Sequence, residues 1–158
     1  MLKKEIHSNW INFMLAGMIK TDLKIINTES GSVYHGMKNK DKGYNGFGEV
    51  YFSTIKKGAI RAWKMHKRMY LNLFVPVGKV QLCFLDDRKD SITNGLAYRL
   101  ILSQNPYYRL TVPPGIWFGF QGVSDGLNLI CNVANIIHDP FEILRKEICE
   151  IEMDWSLE

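Results

Sequence analysis

The segment from Gly58 to Arg88 constrains the fold of this chain more than any other part of the sequence. It contains three runs rich in β-branched and aromatic residues, separated by Lys67-Arg68 and by residues 76–79. Runs of this kind between polar or Pro/Gly breaks are typical of consecutive β-strands. Side chains two positions apart on a strand share a face, so Lys64 and His66 are predicted to point the same way. We therefore expect three adjacent strands, the first of which carries an amine and an imidazole on one face.

The rest of the sequence repeats the pattern of short strands and sharp corners. Glycine and proline separate the runs, most clearly in the rigid corner at residues 113–115. Many short strands with such corners predict an all-β barrel or sandwich. A chain of 158 residues is expected to form a single domain, 1–158, in which residues 23–137 make the barrel. The further strand-like runs cover residues 23–26, 49–55, 96–103, 109–112, 116–121 and 127–133.

The two ends of the chain are predicted to differ from the barrel. Residues 1–22 carry an apolar patch and are expected to form an N-terminal arm, which packs on the barrel or on a second subunit. Residues 138–158 are expected to form a short C-terminal helix and a tail. Asp139 would cap that helix, Pro140 suits its first position, and Glu142 suits a capping box. Apolar residues then recur at helical spacing, namely Phe141, Leu144 and Ile148.

Composition argues against several classes of function. The net charge is only +4, and the longest basic run is His66-Lys67-Arg68, so a nucleic-acid partner is not expected. The three cysteines lack the spacing of metal ligands. The apolar stretch at residues 10–19 is too short to span a membrane, and Asn12 interrupts it. We therefore expect a cytoplasmic protein without a membrane partner.

The spacing within the central segment resembles the first motif of the cupins. That motif reads Gly-x5-His-x-His-x4-Glu-x6-Gly, and its two histidines and its glutamate bind one metal inside a small barrel. Gly58, Lys64, His66, Leu71 and Gly78 occupy the five positions in this chain. Since only His66 keeps a metal-binding residue type, the resemblance implies a jelly-roll β-barrel with no metal site.

Three motifs make the resemblance more specific. Residues 57–64, Lys-Gly-Ala-Ile-Arg-Ala-Trp-Lys, are similar to Lys-Gly-x-x-Arg-Gly-x-His of the dTDP-4-dehydrorhamnose 3,5-epimerase (RmlC-like) cupins. Residues 78–88 resemble that family's Gly-Glu-x-x-Asp-x-x-x-Asp-x-Arg strand, and residues 113–120 resemble its Pro-Pro-Gly-x-x-His-Gly-Phe corner. Residues 61–67 also resemble the Arg-Gly-x-His-x-His-Lys pattern of the sugar 3,4-ketoisomerase cupins. Both resemblances imply a jelly-roll barrel, usually dimeric, that acts on a nucleotide-linked 4-keto sugar.

The differences from the epimerase family fall on its catalytic residues. Lys64 stands where the family has its catalytic base, a histidine, and the family's tyrosine acid falls near Cys131. Phe118 replaces the corner histidine, and a substrate-binding lysine of the family falls at residues 71–72. Arg61 matches the arginine that grips the nucleotide diphosphate.

The resemblance therefore assigns a candidate site and leaves its chemistry open. Lys64 and His66 are the candidate catalytic residues. Lys64 is the base if burial lowers its pKa sufficiently; otherwise His66 is the base and the charged Lys64 steadies an enolate oxygen. If this face of the strand points outward, Lys64 is an ordinary solvated lysine. The candidate substrate-binding residues are Arg61, Glu49, Tyr51, Asn72 and Phe118.

The expected function is that of an epimerase or ketoisomerase acting on a nucleoside-diphosphate 4-keto-6-deoxysugar, in surface-polysaccharide or deoxysugar biosynthesis. The shared chemistry is proton abstraction next to the ketone, which requires no metal or redox cofactor. The expected partners are the nucleotide sugar and a second copy of the chain. The alternative is a non-catalytic sugar-nucleotide-binding cupin that serves as a partner or regulatory module, which the missing His/Tyr pair favours.

Overall fold

A computed structural model describes residues 13–157 of the chain. The regular structure in these residues is nearly all β, and none of it is a helix long and apolar enough to cross a membrane. The twelve strands of this region are β1 (Ile19–Asp22), β2 (Ile25–Thr28), β3 (Gly31–Tyr34), β4 (Glu49–Thr54), β5 (Ile60–His66), β6 (Leu71–Val77), β7 (Lys79–Asp86), β8 (Ala97–Ser103), β9 (Tyr108–Val112), β10 (Ile116–Gly122), β11 (Leu129–Ala134) and β12 (Ile143–Arg145).

The strands form two five-stranded antiparallel sheets and one hairpin. The order of strands is β1-β9-β6-β11-β4 in the first sheet and β12-β5-β10-β7-β8 in the second, while β2 pairs with β3. Apolar side chains from both sheets form one buried cluster, to which Leu73 and Leu110 contribute from the first sheet and Leu82 and Phe84 from the second. The sheets therefore pack face to face around a shared core, and the predicted all-β class is confirmed.

The strands of the central segment lie where the residue pattern predicts them. β5, β6 and β7 occupy it, with breaks at residues 67–70 and at Gly78. Gly78 has a φ of 79°, and a Cβ there would lie 2.3 Å from the Leu127 carbonyl oxygen, so this tight turn requires glycine. Strand β3 was not predicted, because its residues stand in a stretch dense with turn signals.

The N-terminal arm predicted for residues 1–22 is only partly described. Residues 1–12 lie outside the described residues. Within the rest of that segment, Ile19–Asp22 forms β1, which pairs with β9 at the edge of the first sheet. Leu15 is 1% exposed and belongs to the core cluster, so this part of the chain packs on the barrel.

The prediction of a regular C-terminal helix is wrong, since this region contains only two short 3-10 turns, Pro140–Glu142 and Ile148–Glu150. Asp139 does cap the first turn, because its side chain accepts a hydrogen bond of 2.9 Å from the Phe141 N–H. The chain then becomes β12, which pairs with the edge strand β5. The apolar residues that recur at helical spacing bury little of their surface, since Phe141 is 87% exposed. Pairing with an existing sheet edge satisfies the backbone of residues 143–145 without a helix.

A buried carboxylate secures the loop between β7 and β8. Asp86 is fully buried and accepts two hydrogen bonds of 2.8 Å from the Arg88 guanidinium, one of 2.6 Å from the Thr93 hydroxyl and one from Ser91. Arg88 also donates to the Ala16 carbonyl, which joins the loop to the segment before β1. Burial alone would raise the pKa of Asp86, but these hydrogen bonds outweigh it and hold that pKa below its usual range.

The depressed pKa of Asp86 predicts how stability changes with pH. The ionised group stabilises the fold fully above its unfolded pKa of about 3.9, and this contribution is lost as the pH falls further. We expect Asp86→Asn to lower the free energy of unfolding by roughly 3 kcal/mol at pH 6, because Arg88 loses its charged partner. In urea titrations the difference between the two proteins should stay nearly constant from pH 6 down to about pH 4.5 and should shrink as the pH falls below the unfolded pKa of about 3.9. A difference that does not shrink below that pKa would contradict the assignment.

Candidate active site

A cavity of about 310 Å³ opens between the two sheets. Its wall is made of side chains from β4, β5, β6, β10, β11 and β12, together with His138 from the loop after β11. Six of the seven residues predicted for the site line it: Glu49, Tyr51, Arg61, Lys64, His66 and Phe118. The structure thus brings together residues that are separated by up to 69 positions in the sequence.

Asn72 is the one predicted site residue that the structure does not bring to the cavity. Its neighbours Leu71 and Leu73 line the cavity, so the alternation of β6 turns Asn72 to the other face of the sheet. There its side-chain oxygen accepts a hydrogen bond of 2.7 Å from Thr111, and its amide donates to the Val133 carbonyl at 3.3 Å. The predicted substrate contact therefore has no support in this position.

An irregularity in β5 directs both Arg61 and Lys64 into the cavity. Residues three apart on a regular strand lie on opposite faces, yet both of these side chains line the same cavity. In the pairing with β10, Lys64 lies opposite Phe118 and Arg61 lies opposite Phe120, so β5 holds one residue more than its partner. This β-bulge reverses the alternation between the two cations. Gly119 lies across from it, where a Cβ would come within 2.5 Å of the Ala62 Cβ.

His66 is held in a buried contact with Glu142. The two residues are 5% and 2% exposed, and the Nδ1 atom of the ring is hydrogen-bonded to Oε1 of the carboxylate. The other carboxylate oxygen accepts from the backbone N–H groups of Arg68 at 3.0 Å and Met69 at 3.3 Å. The His66 ring also stacks on Phe118, with centroids 5.9 Å apart. Ring orientation is therefore fixed from two sides.

The surroundings of His66 keep the imidazole neutral. Burial lowers the pKa of His66 below its ordinary value, although the Glu142 carboxylate opposes this shift. Burial also acts to raise the pKa of Glu142, but hydrogen bonds from His66 and from two backbone N–H groups outweigh it and lower that pKa. With Nδ1–H donating to an ionised carboxylate, Nε2 of the neutral ring is left as an acceptor. The neutral ring can therefore accept a proton at Nε2.

Three cations gather at the same wall of the cavity. Lys64 pairs with Arg145 across the β5–β12 ladder, and Arg145 shares a strand face with Ile143, which lines the cavity. Burial lowers the pKa of Lys64, and Arg145 and Arg61 lower it further. Among the residues that the structure describes, none of the three forms an ion pair with a carboxylate. A concentration of unpaired positive charge of this kind is suited to an anionic ligand.

The cavity also contains polar residues that were not predicted from the sequence. Asn132 of β11 faces the cavity, and its amide donates a hydrogen bond of 2.8 Å to the hydroxyl of Tyr51. The alternation of β11 could have indicated it, because Ile130 and Asn132 line the cavity while Cys131 faces the outside of the sheet. His138, in the loop after β11, also lines the cavity. Over residues 13–157, no group of His, Cys, Asp or Glu side chains is arranged to hold a metal ion.

Comparison with known structures identifies the fold and the family. The dTDP sugar isomerase from Desulfovibrio desulfuricans G20 is 30% identical to this chain and superposes with a TM-score of 0.85, covering 89% of this chain and 92% of that one. The chain belongs to the RmlC-like cupin family. The predicted jelly-roll β-barrel is thereby confirmed, with 3-10 turns in place of the C-terminal helix.

Two further proteins are similar to this chain. The dTDP-6-deoxy-D-glucose-3,5-epimerase from Legionella pneumophila Philadelphia 1, solved in complex with dTDP-4-keto-L-rhamnose, has a TM-score of 0.79 at 22% identity, covering 94% of this chain and 83% of that one. A probable low-salt glycan biosynthesis epimerase from Haloferax volcanii is 27% identical over 113 residues, which are 68% of this chain and 72% of that protein. No protein-family model matches the sequence.

Proposed function

We propose that this protein is a cytoplasmic epimerase acting on a nucleoside-diphosphate 4-keto-6-deoxysugar in glycan biosynthesis. The observation that carries the proposal is the neutral His66, hydrogen-bonded to Glu142, in a cavity lined also by Arg61 and Lys64, two cations without a carboxylate partner among the described residues. The similar proteins from Desulfovibrio, Legionella and Haloferax are a sugar isomerase and two epimerases, one of them a probable epimerase. This similarity supports the same reaction class. A sugar 3,4-ketoisomerase remains the related alternative, since both reactions begin with loss of a proton beside the ketone.

The geometry favours His66 over Lys64 as the base of this reaction. A lysine has a reference pKa of about 10.4 and accepts a proton only when it is first made neutral. Burial and neighbouring cations lower the pKa of Lys64, yet its side chain is only half-buried. His66, in contrast, is buried, neutral and oriented by Glu142. We assign the proton abstraction to His66 and the stabilisation of the enolate oxygen to the Lys64 ammonium.

The remaining cations suit the diphosphate of the substrate. Arg61 lines the cavity with its guanidinium 5.6 Å from the centre of the Phe120 ring, and Arg145 lies opposite Lys64 in the β5–β12 pair. Guanidinium groups bind phosphate oxygens with paired hydrogen bonds. Phe118 and Glu49 complete the wall on which the sugar or its base would rest. The proposed reaction uses no metal or redox cofactor.

Deuterium exchange tests the assignment of the base. In D2O, the wild-type protein with a dTDP-linked 4-keto-6-deoxysugar should incorporate deuterium at C3 or C5, as followed by proton NMR. His66→Gln should slow this exchange by about 10²–10⁴-fold, the usual contribution of a general base. Lys64→Met should retain exchange, at a lower rate because the enolate oxygen loses its cation. Exchange that survives in His66→Gln and disappears in Lys64→Met would assign the base to the lysine.

The same experiment separates the enzyme from a non-catalytic binding module. The absence of the family's histidine and tyrosine at residues 64 and 131 favours the module, whereas the His66–Glu142 contact favours the enzyme. A module would bind a nucleotide sugar and raise its own melting temperature without any exchange. No exchange with any dTDP-, CDP-, GDP- or UDP-linked 4-keto sugar would reject the enzyme.

Arg61→Ala should weaken binding of the nucleotide sugar by roughly 1.5–3 kcal/mol, the range for a charge-assisted hydrogen bond. The loss should also appear with the bare nucleoside diphosphate, because the guanidinium is proposed to contact phosphate. Isothermal titration calorimetry measures both. Lys146→Ala is a matched control, because Lys146 lies over the Trp117 ring on the outer face of the second sheet. Equal affinities for wild type and Arg61→Ala would remove Arg61 from the site.

We also propose that the protein is a homodimer joined through the outer face of the first sheet. Strand β4 is one of the two edge strands of this sheet as described, and its Val50 and Phe52 residues are 47% and 61% exposed. They border a largely apolar groove of about 560 Å³ beside the β2–β3 hairpin. A strand edge that no other described strand pairs with, next to exposed aromatic groups, is a surface that a second copy would cover.

Light scattering tests the dimer. Wild-type protein should have about twice the chain mass of 18.3 kDa at micromolar concentration, and Phe52→Glu should reduce it to one chain mass. The control is Phe141→Glu, since Phe141 is 87% exposed on the first 3-10 turn, away from this groove. A wild-type monomer would reject the proposal, and so would a Phe52→Glu variant that remains dimeric.

A further inference from the structure

The proposed epimerisation lacks a proton donor at the position where the RmlC-like resemblance expects one. Inversion at carbon needs one group to remove a proton and a second group to return one from the opposite face of the sugar ring. The expected tyrosine falls near Cys131, but Cys131 is buried on the outer side of its sheet against Phe74 and Tyr107. Its thiol therefore does not reach the cavity, and the donor must come from another residue.

Tyr51 is a phenol on the cavity wall with a fixed hydrogen-bonding role. Its hydroxyl oxygen accepts a hydrogen bond of 2.8 Å from the side-chain amide of Asn132. The oxygen of the same Asn132 amide accepts the backbone N–H of Asn72 at 2.9 Å, which determines how the amide is oriented. Because Asn132 is 3% exposed and can only donate to Tyr51, the phenol O–H is left free to donate into the cavity.

The phenol and the imidazole lie on opposite walls of the cavity. Tyr51 belongs to β4 of the first sheet, whereas His66 belongs to β5 of the second. A sugar ring held between the sheets would present one face to each group. Burial raises the pKa of Tyr51, so the phenol keeps its proton at neutral pH until it is needed. Inversion requires this arrangement, in which the base and the proton donor face opposite sides of the sugar ring.

We propose that Tyr51 is the proton donor of the site and that Asn132 is the residue that positions it. The assignment rests on the proposed epimerase function. His66 Nε2 takes the proton from the carbon beside the ketone, and the electron pair of that C–H bond forms the enolate. The O–H of Tyr51 then delivers its proton to the opposite face of the same carbon, and the enolate returns to the ketone. The phenolate and the imidazolium that result are reset by proton exchange with solvent.

The test compares exchange with inversion for the same substrate. In D2O with a dTDP-linked 4-keto-6-deoxysugar, Tyr51→Phe should retain deuterium uptake, because His66 still removes the proton and returns a deuteron to the same face. Formation of the inverted product should fall about 100-fold, the low end of a general acid's contribution. Tyr98→Phe removes a phenol hydroxyl on β8, outside the cavity, and should change neither rate. Product configuration and deuterium content are read together by proton NMR.

Asn132→Asp tests the positioning role with almost no change in shape. The carboxylate still accepts the Asn72 N–H, but it also accepts the phenol O–H and turns it away from the cavity. Inversion should therefore fall as in Tyr51→Phe while exchange continues. The pKa of Tyr51, followed by NMR of ring-labelled tyrosine and assigned with Tyr51→Phe, should rise, which a purely structural effect would not produce.

The outcomes separate this assignment from the proposed function. Wild-type inversion in Tyr51→Phe would overturn Tyr51 as the donor, and so would a parallel loss of exchange and inversion. An unchanged Tyr51 pKa with full activity in Asn132→Asp would overturn the role of Asn132. Absence of exchange in the wild type would reject the epimerase itself, and the donor assignment with it.

Discussion

The buried carboxylate of Glu142 is the group on which the geometry of the cavity depends. A charged side chain that is 2% exposed is costly unless its oxygens are fully hydrogen-bonded, and here the imidazole and two backbone N–H groups satisfy them. These bonds attach the first 3-10 turn to the end of β5. β12 begins at the next residue, and its pairing with β5 sets Arg145 opposite Lys64. The Glu142 carboxylate therefore orients the proposed base, and it also fixes the start of the strand that places Arg145 beside Lys64.

Most of the fold follows from local patterns in the sequence. The alternation of apolar and polar residues and the Gly and Pro corners predict the central strands, because both signals depend only on near neighbours. The C-terminal segment shows the limit of such signals. Asp139 and Pro140 do start a turn, but the edge of β5 then takes residues 143–145 into a sheet. Pairing with a strand 77 positions away, as between Ile143 and His66, leaves no trace in the spacing of local residues.

Some residues of the candidate site were predicted from the sequence, and others were not. The motif spacing locates Arg61, Lys64 and His66, because residues on one strand keep their relation whatever surrounds them. The prediction that Asn72 lies in the site misses by one position, because neighbouring residues on a strand point to opposite faces of the sheet. Glu142 and Asn132 were missed because their roles arise from contacts with His66 and Tyr51, 76 and 81 residues away in the sequence. The roles assigned to the cavity residues stay predictions until they are measured.

Gly119 has a consequence for how sequences of this kind are compared. A side chain there would collide with Ala62 at the bulge and approach Trp155 of the C-terminal tail within 2.9 Å. Glycine is therefore required at position 119 by close packing within the barrel wall, and not by chemistry in the cavity. The same holds for Gly78 at its turn. Some glycines in the family's motifs are therefore required because two backbone segments approach each other closely. A sequence can keep these glycines, and so still match the motifs, while the residue types that perform the chemistry change.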